Sequence, residues 1–303
     1  MNYTLNQLNI FLRVTKTLSI TKAATELNLT QPAVSIQLRN FQDQFDTPLI
    51  EVVGKKIYVT EFGKEITQLA ENIMDQVAKI NFKTHSQKGQ LTGRLRLSIV
   101  STGQYVMPFF LPSFMKQHKN AELVMDVTNR SRVIESLEQN TVDFSLVSIL
   151  PRTPVVEKLD LMENKFFLVG NTEEKFKKTP YSKQILKELP LILREKGSGT
   201  RTVMENFIER SHLAVIQKME LTSNEAVKQA VMAGLGYSIM PLIAIESELQ
   251  NGRLQIIPVN GLPIKNTWRL IWLKGKKHSP VAQVFLDYMR KEKNTVIKKY
   301  FSF

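Results

Sequence analysis

The apolar residues of this chain change period once, near Gly93, and that change limits the folds open to it. Before it they recur every three or four residues, as on one face of a helix. After it they fall in short alternating runs, as on the faces of strands. A chain of 303 residues patterned this way fits a helical unit followed by a mixed one, α+β overall. With 43% apolar residues it can bury a core in each.

From Leu5 to Leu18 the helical period is kept by Leu8, Phe11, Leu12, Val14 and Leu18. A second helix is expected with Thr21 as N-cap, Ala23, Ala24 and Leu27 on a small-residue face, and an end at the polar break Asn28 to Thr30. Thr30 is the expected N-cap of a third helix, with Pro32 in its first turn, where a missing N–H costs nothing. Two helices joined by a short turn, with small residues at their crossing, match a helix-turn-helix. Residues 49–60, LIEVVGKKIYVT, read as a hairpin with Gly54 and Lys55 at its tip, the wing of a winged variant. Thr60 then caps a long helix over 61–83. Its stripe of Ile66, Leu69, Ile73, Val77 and Ile80 suits a dimerisation seam, or a core helix of the same domain. The polar segment HSQKGQLTG that follows reads as a connector.

Projected as a helix, Gln31 to Phe45 place Val34, Leu38, Phe41 and Phe45 in one arc that must face a core. The other side holds Pro32, Ser35, Ile36, Arg39, Asn40 and Asp43. In a major groove Gln31 can pair with an adenine edge, Ser35 with several bases and Ile36 with a thymine methyl, while Arg39 can reach a phosphate or guanine. The net charge of +13 suggests an acidic partner, yet residues 1–90 carry 10 Lys+Arg against 8 Asp+Glu, which leaves +11 for residues 91–303. So low a charge is compatible with DNA binding, because backbone N–H groups, hydroxyls and the wing lysines can also meet phosphates. It predicts a shallow salt dependence per subunit, so that affinity comes from a dimer or tetramer. The expected DNA-contacting residues are Thr30, Gln31, Pro32, Ser35, Ile36, Arg39, Lys55 and Lys56.

Beyond Gly93, strand-like runs at 95–100, 122–127, 144–149, 165–170, 190–194, 237–241 and 269–273 alternate with helix-length segments. This predicts an α/β domain with mainly parallel sheets, long enough for two subdomains around a cleft. Ligands of such sheets gather at the carboxyl ends of strands, where Ser101, Thr102, Asn129, Arg130 and Ser148 fall. A second group, Ser198, Thr200 and Arg201 in GSGTR, with Asn224 beside Ser223, starts helices in the later half. Ordinary helix capping explains any one of these residues as well as ligand contact does. Their recurrence at strand ends points to a site for an anionic metabolite, phosphorylated or a carboxylate. The basic end, 10 Lys+Arg against 2 Asp+Glu over 265–303, reads as solvated surface on a final helix that buries Val281, Phe285 and Met289.

The chain has no cysteine, and His85, His118, His212 and His278 have no metal-ligand or catalytic spacing. GSGT lacks the lysine of a phosphate-binding Walker loop, and GSGTR lacks the pattern of a nucleophile elbow. No catalytic residue, metal or cofactor is therefore expected. The rival readings are a metabolic enzyme with an α/β domain and a stand-alone small-molecule binding protein, which would have no use for residues 1–83. With no apolar run of membrane-spanning length and no leader pattern, the expected location is the cytoplasm, without a membrane partner.

The segments LNQLNIFLRV, SITKAATELNLTQPAVSIQLRNF and GKKIYVTEFGKEI, with the two-part α/β region after them, resemble the LysR-type transcriptional regulators over essentially the whole chain. Within that family, LTQPAVSIQL, GKKIYVTEFG, STGQYVMPFFLPSF, VTNRSRVIESLEQNTVDFSLV and REKGSGTR resemble the regulators of carbon-fixation (RuBisCO) operons. The resemblance implies a winged helix-turn-helix over 1–60, a linker and dimerisation helix with a hinge over 61–90, and an effector-binding domain over 91–303. That domain would be built like the periplasmic binding proteins, with subdomain I at 91–163 and 268–303 and subdomain II at 164–267. The family further implies a homodimer through the linker helix, a homotetramer on double-stranded promoter DNA, and a DNA bend that a small-molecule effector changes. Gln31, Pro32 and Ser35 match the family's usual DNA-contacting motif. Ile36 departs from the arginine many members carry, which favours a thymine-rich half-site. VSI at 147–149 departs from the glycine expected after the third strand in the carbon-fixation group, which leaves the effector open.

Overall fold

The computed structural model describes residues 2–54, 56–86 and 91–301, in two compact units, Met1–Gln90 and Leu91–Phe303. In the first, α1 (Leu5–Thr17) starts from a capping box in which Thr4 and Gln7 satisfy each other's backbone N–H groups. The N-cap of α2 (Ile20–Leu27) is Ser19, not Thr21: the Ser19 hydroxyl accepts from the Lys22 N–H at 3.3 Å, which puts Thr21 inside the first turn. Asn28 ends α2 at φ 55°, a left-handed conformation that asparagine tolerates. Thr30 caps α3 (Gln31–Gln42), accepting from the Ala33 N–H at 3.4 Å, with Pro32 in the first turn as expected.

Val34, Leu38 and Phe41 bury one face of α3 against Phe11, Val14, Ala23 and Ala24, each large side chain adding about 1.5–3 kcal/mol. The small alanines of α2 let the helices approach closely. Phe45, past the end of α3, extends the arc by packing edge-on against Phe41. The wing pairs β1 (Ile50–Val53) with β2 (Lys56–Val59) antiparallel, and Gly54 turns the tip at φ 56°. Lys55 lies outside the described residues.

Thr60 caps α4 (Glu61–Ser86), accepting from the Gly63 N–H at 2.9 Å, and the helix runs past Lys83, its expected end. The apolar stripe of α4 divides into adjoining faces. Ile66, Ala70 and Met74 join the core of this unit, while Leu69, Ile73 and Ile80 are exposed. The core reading thus describes part of the stripe, and the exposed part is the face on which a seam was expected.

In the second unit β3 (Gly93–Val100) pairs in parallel with β4 (Ala121–Thr128) and with β5 (Phe144–Val147). Between β3 and β4 lie the short helices α5 (Met107–Phe110) and α6 (Pro112–Gln117), and α7 (Arg130–Glu138) leads from β4 to β5. Then β6 (Val156–Asn171) carries the chain into a second lobe. This lobe contains β7 (Pro190–Arg194), α8 (Gly199–Arg210), β8 (Ile216–Leu221), α9 (Asn224–Met232), β9 (Ser238–Pro241), α10 (Glu246–Gln250) and β10 (Leu254–Ile257). The return strand is β11 (Ile264–Leu273), and α11 (Pro280–Tyr300) closes the first lobe, burying Val281, Phe285 and Met289.

The expectation of mainly parallel sheets needs correction. β6 pairs antiparallel with β9, β10 and β11, and β11 pairs antiparallel with β5. The cause is topological: the chain crosses between lobes twice, in opposite directions, and the crossing segments pair along their length. Their register shifts once, between Thr267 and Arg269, beside the fully buried Trp268. Among the described residues, parallel strand pairing is confined to β3 with its neighbours and to β7 with β8, beside the isolated parallel bridges Tyr181 to Val259 and Leu191 to Tyr237.

His278 stacks on Phe144 with centroids 4.8 Å apart, and neither ring nitrogen has a hydrogen-bond partner among the described residues. Burial, reinforced by Lys276, pulls its pKa below the ordinary histidine value. Below pH ~6.5 the unfolded chain therefore gains a proton that the folded imidazole resists. Stability is full above that pH and falls as pH drops toward the lowered native value. Urea unfolding at stepped pH should show this slope, and His278→Phe should flatten it; an unchanged slope would assign it to other groups.

Candidate nucleic-acid interface and ligand cleft

On α3 the face opposite the core exposes Gln31, Pro32, Ile36, Arg39 and Asn40, with Ser35 half-buried between them. Ile36 is 58% exposed, so packing within its own unit does not account for an isoleucine there. Arg39 sits 3.7 Å from Asp43 with its side chain 83% exposed; a surface pair of this kind contributes little and leaves the guanidinium free to reach another partner. Thr30 is exposed, with its hydroxyl engaged in the cap, and Lys56 is exposed at the start of β2. Spaced by one turn, Gln31, Ser35 and Arg39 form one ridge, with Pro32 and Ile36 beside it. It is a narrow surface of amide, hydroxyl, methyl and guanidinium groups.

In the second unit, Ser101, Thr102, Asn129, Arg130, Ser148, Ser198 and Thr200 line one cavity, together with Val100, Ile149 and Gly199. Local structure explains the convergence. Ser101 and Thr102 start a 3-10 turn off the end of β3, Asn129 caps α7 by accepting from the Arg132 N–H, and Ser148 follows β5. From the other lobe Ser198 precedes α8 without spending its hydroxyl on a cap bond. Asn224 stands behind the cavity: it accepts from Thr200 Oγ1 at 3.2 Å and donates to Ser101 Oγ at 2.9 Å.

Of the expected residues, Asn224 and Arg201 do not line the cavity, and Arg201 is turned away from it altogether. Its guanidinium donates to Glu205, Glu220 and the Arg194 carbonyl. Burial opposes its charge, but the two carboxylates outweigh that and raise its pKa. In a first-turn helical position next to Thr200, its long side chain swings to the far face of α8, where the acidic partners lie.

Sequence reasoning missed Arg194. It ends β7 with its side chain 2% exposed, donates two bonds to Glu195 at 2.7 and 2.9 Å, and reaches Ser101 Oγ at 3.3 Å. The strand-end rule that selected Ser101 also applies to the last residue of PLILR, so the signal was present. Further bonds tie the lobes: the Ser131 N–H donates to the Gly197 carbonyl at 3.2 Å, and Tyr105 donates to Glu225 at 3.3 Å. Burial, before the Glu225 carboxylate, raises the Tyr105 pKa. With these bonds made the cavity measures about 10 Å³, room for about one water, so an organic ligand must part the lobes. Among the described residues no cluster of His, Cys, Asp and Glu could hold a metal, and no helix is long and apolar enough to cross a membrane.

Residues 5–64 match the model of the bacterial regulatory helix-turn-helix protein, lysR family, and residues 88–294 match the LysR substrate binding domain. The chain is 36% identical over 293 residues to a RuBisCO operon transcriptional regulator of Allochromatium vinosum, covering 96% of this chain and 97% of that one. It is also 36% identical over 289 residues to the HTH-type transcriptional activator CmpR of Synechocystis, covering 95% of each. The regulatory domain of Synechocystis CcmR, solved in complex with 2-PG, superposes with a TM-score of 0.63 at 30% identity, covering 70% of this chain and 99% of that domain. These are regulators, not enzymes. The chain belongs to the LysR family of transcriptional regulators, DNA-binding proteins that carry an effector-binding domain.

Proposed function

We propose that this regulator acts in the cytoplasm on promoters of carbon-fixation genes. It binds double-stranded DNA through α3 and the wing, as a homodimer joined along α4 and a homotetramer of two such dimers. A small anion entering the cleft between subdomain I (91–163 with 268–303) and subdomain II (164–267) switches it. The observation that carries the reading is the meeting of Ser101, Thr102, Asn129, Arg130 and Ser148 with Ser198 and Thr200, from opposite lobes, in one cavity. Hydroxyls, an amide and one half-buried guanidinium suit a phosphate or carboxylate. The register shift at Thr267 supports the subdomain division, and the exposed Leu69, Ile73 and Ile80 support the seam. Identity to RuBisCO-operon regulators over nearly the whole chain supports the target genes. Ser148 and Ile149, where the carbon-fixation group was expected to carry glycine, add side chains to the cavity wall.

Footprinting on the DNA upstream of its own gene, with and without 2-PG, tests the reading. Protection should respond to 2-PG, and calorimetry should show Thr102→Val weakening 2-PG binding about tenfold, or ~1.4 kcal/mol. Binding only to neutral or cationic compounds would refute an anionic effector. On the DNA side, Ile36→Ala should cost roughly 1 kcal/mol at the preferred site and little on other sequences. A uniform loss across sequences would show that Ile36 only packs.

A further inference from the structure

A second cavity, of about 610 Å³, adjoins the cleft and shares Arg130 and Ile149 with it. Small-molecule sites commonly measure about 300–1,000 Å³, so this space is of ligand size whereas the cleft as it stands is not. Its walls come from α7, from the loop after β5 and from the side of α8, with Ile134, Leu150 and Pro151 as the apolar lining.

The charges are arranged unevenly. Arg130 is half-buried and donates to the carbonyls of Ile149 at 3.3 Å and Leu150 at 3.1 Å, two of the five donors a guanidinium offers. Among the described residues neither Arg130 nor Arg152, which also lines the cavity, has an ion-pair partner. A guanidinium that has lost hydration without gaining a counter-charge is destabilised, and an anion beside it reverses that; burial alone, with no acidic neighbour, lowers the Arg130 pKa. At the other end stand Glu135 and Glu138, ~8 and ~12 Å further along α7. A negative charge placed there is repelled.

We propose that this cavity is a second ligand site, for a small monoanion with an apolar body. Its head lies between Arg130 and Arg152, and its uncharged tail lies on Ile134, Leu150 and Pro151. Because one guanidinium serves both spaces, a ligand here and an anion in the cleft weaken each other by the same factor. The competition rests on the reading of the cleft given above, whereas the site itself does not.

Calorimetry on the full-length protein with hexanoate as probe tests it. Hexanoate should bind saturably, one per chain, and adipate, of equal length with a second carboxylate, should bind more weakly. Arg152 is exposed, so Arg152→Ala should leave the melting curve unchanged and weaken hexanoate about tenfold. Leu150→Asp should weaken it further. Hexanoate should also weaken 2-PG, and 2-PG hexanoate, equally. Absence of saturable hexanoate binding, or adipate binding as tightly, overturns the site. If Thr102→Val abolishes hexanoate binding while Arg152→Ala spares it, the probe sits in the cleft, and the second site fails while the cleft reading stands. Independent binding of hexanoate and 2-PG overturns the competition.

Discussion

Gly63→Ala should unfold the DNA-binding unit at a markedly lower temperature and abolish promoter binding, while leaving the thermal transition of the second unit in place. A Cβ built on Gly63 would lie 1.9 Å from the Leu49 carbonyl oxygen, 2.9 Å from its carbon and 3.0 Å from Val59 Cγ1. That oxygen is held where it is: it accepts from the Thr60 N–H at 3.1 Å and the Thr60 hydroxyl at 3.2 Å. Inside a helix, glycine to alanine ordinarily gains up to about 1 kcal/mol. Here the methyl meets the Leu49 backbone at the start of the wing and the Val59 side chain at its end, so the wing must leave α4 or α4 must lose its first turn. Overpacking of this kind costs about 3 kcal/mol, which exceeds the propensity gain and sets the sign. Differential scanning calorimetry of the full-length variant, with a gel-shift assay, reads both effects. A stabilised variant would show that Gly63 is kept for some reason other than its fit against Leu49.

Gly63 also shows where sequence reasoning runs out. Thr60 as a cap and the helix after it were legible, because both are local. That a carbonyl 14 positions upstream presses on the helix was not, because the approach depends on how the wing folds back. The same division recurs along the chain. Val34, Leu38 and Phe41 were legible as a buried arc, since helix period alone assigns them. Ser19 was missed as the cap of α2 because Thr21, two residues on, carries an equally good hydroxyl, and only the extended backbone at Ser19 decides between them.

In the second unit, strand ends were legible and strand partners were not. Ser101, Asn129 and Ser148 were selected by a rule about sheet ends, and Ser198 by a helix start, neither of which needs knowledge of pairing. The antiparallel pairing of β6 with β11 needed the two crossings to be seen together, and β8 and β10 escaped notice because neither is buried along its whole length, unlike the short β5 and β9. Arg201 and Arg194 show the limit at the level of side chains. Both lie near the cleft in sequence, but a long side chain on α8 can turn to either face. The carboxylates of Glu205 and Glu220 drew Arg201 away, whereas Arg194, read as no more than the end of a strand, points at Ser101.

Arg194→Met should destabilise the second unit by about 3–5 kcal/mol, most of it from the partner left behind. The Glu195 side chain is 14% exposed and receives two bonds from the Arg194 guanidinium, which also donates to the Thr222 carbonyl at 3.3 Å. Without the guanidinium, a carboxylate remains with little water and no counter-charge. If that is the source of the loss, Arg194→Met combined with Glu195→Gln should recover most of the stability in urea unfolding. A double variant as unstable as the single would assign the cost to packing instead. The double variant also isolates the bond from Arg194 to Ser101, one of those that hold the lobes together around a space too small for an organic anion. Removing a bond that must break on ligand entry lowers the cost of opening, so 2-PG should bind more tightly, by up to about tenfold. Weaker binding would instead make Arg194 a direct ligand of the anion. The sign of that change therefore separates a latch from a contact at a buried arginine that faces both lobes.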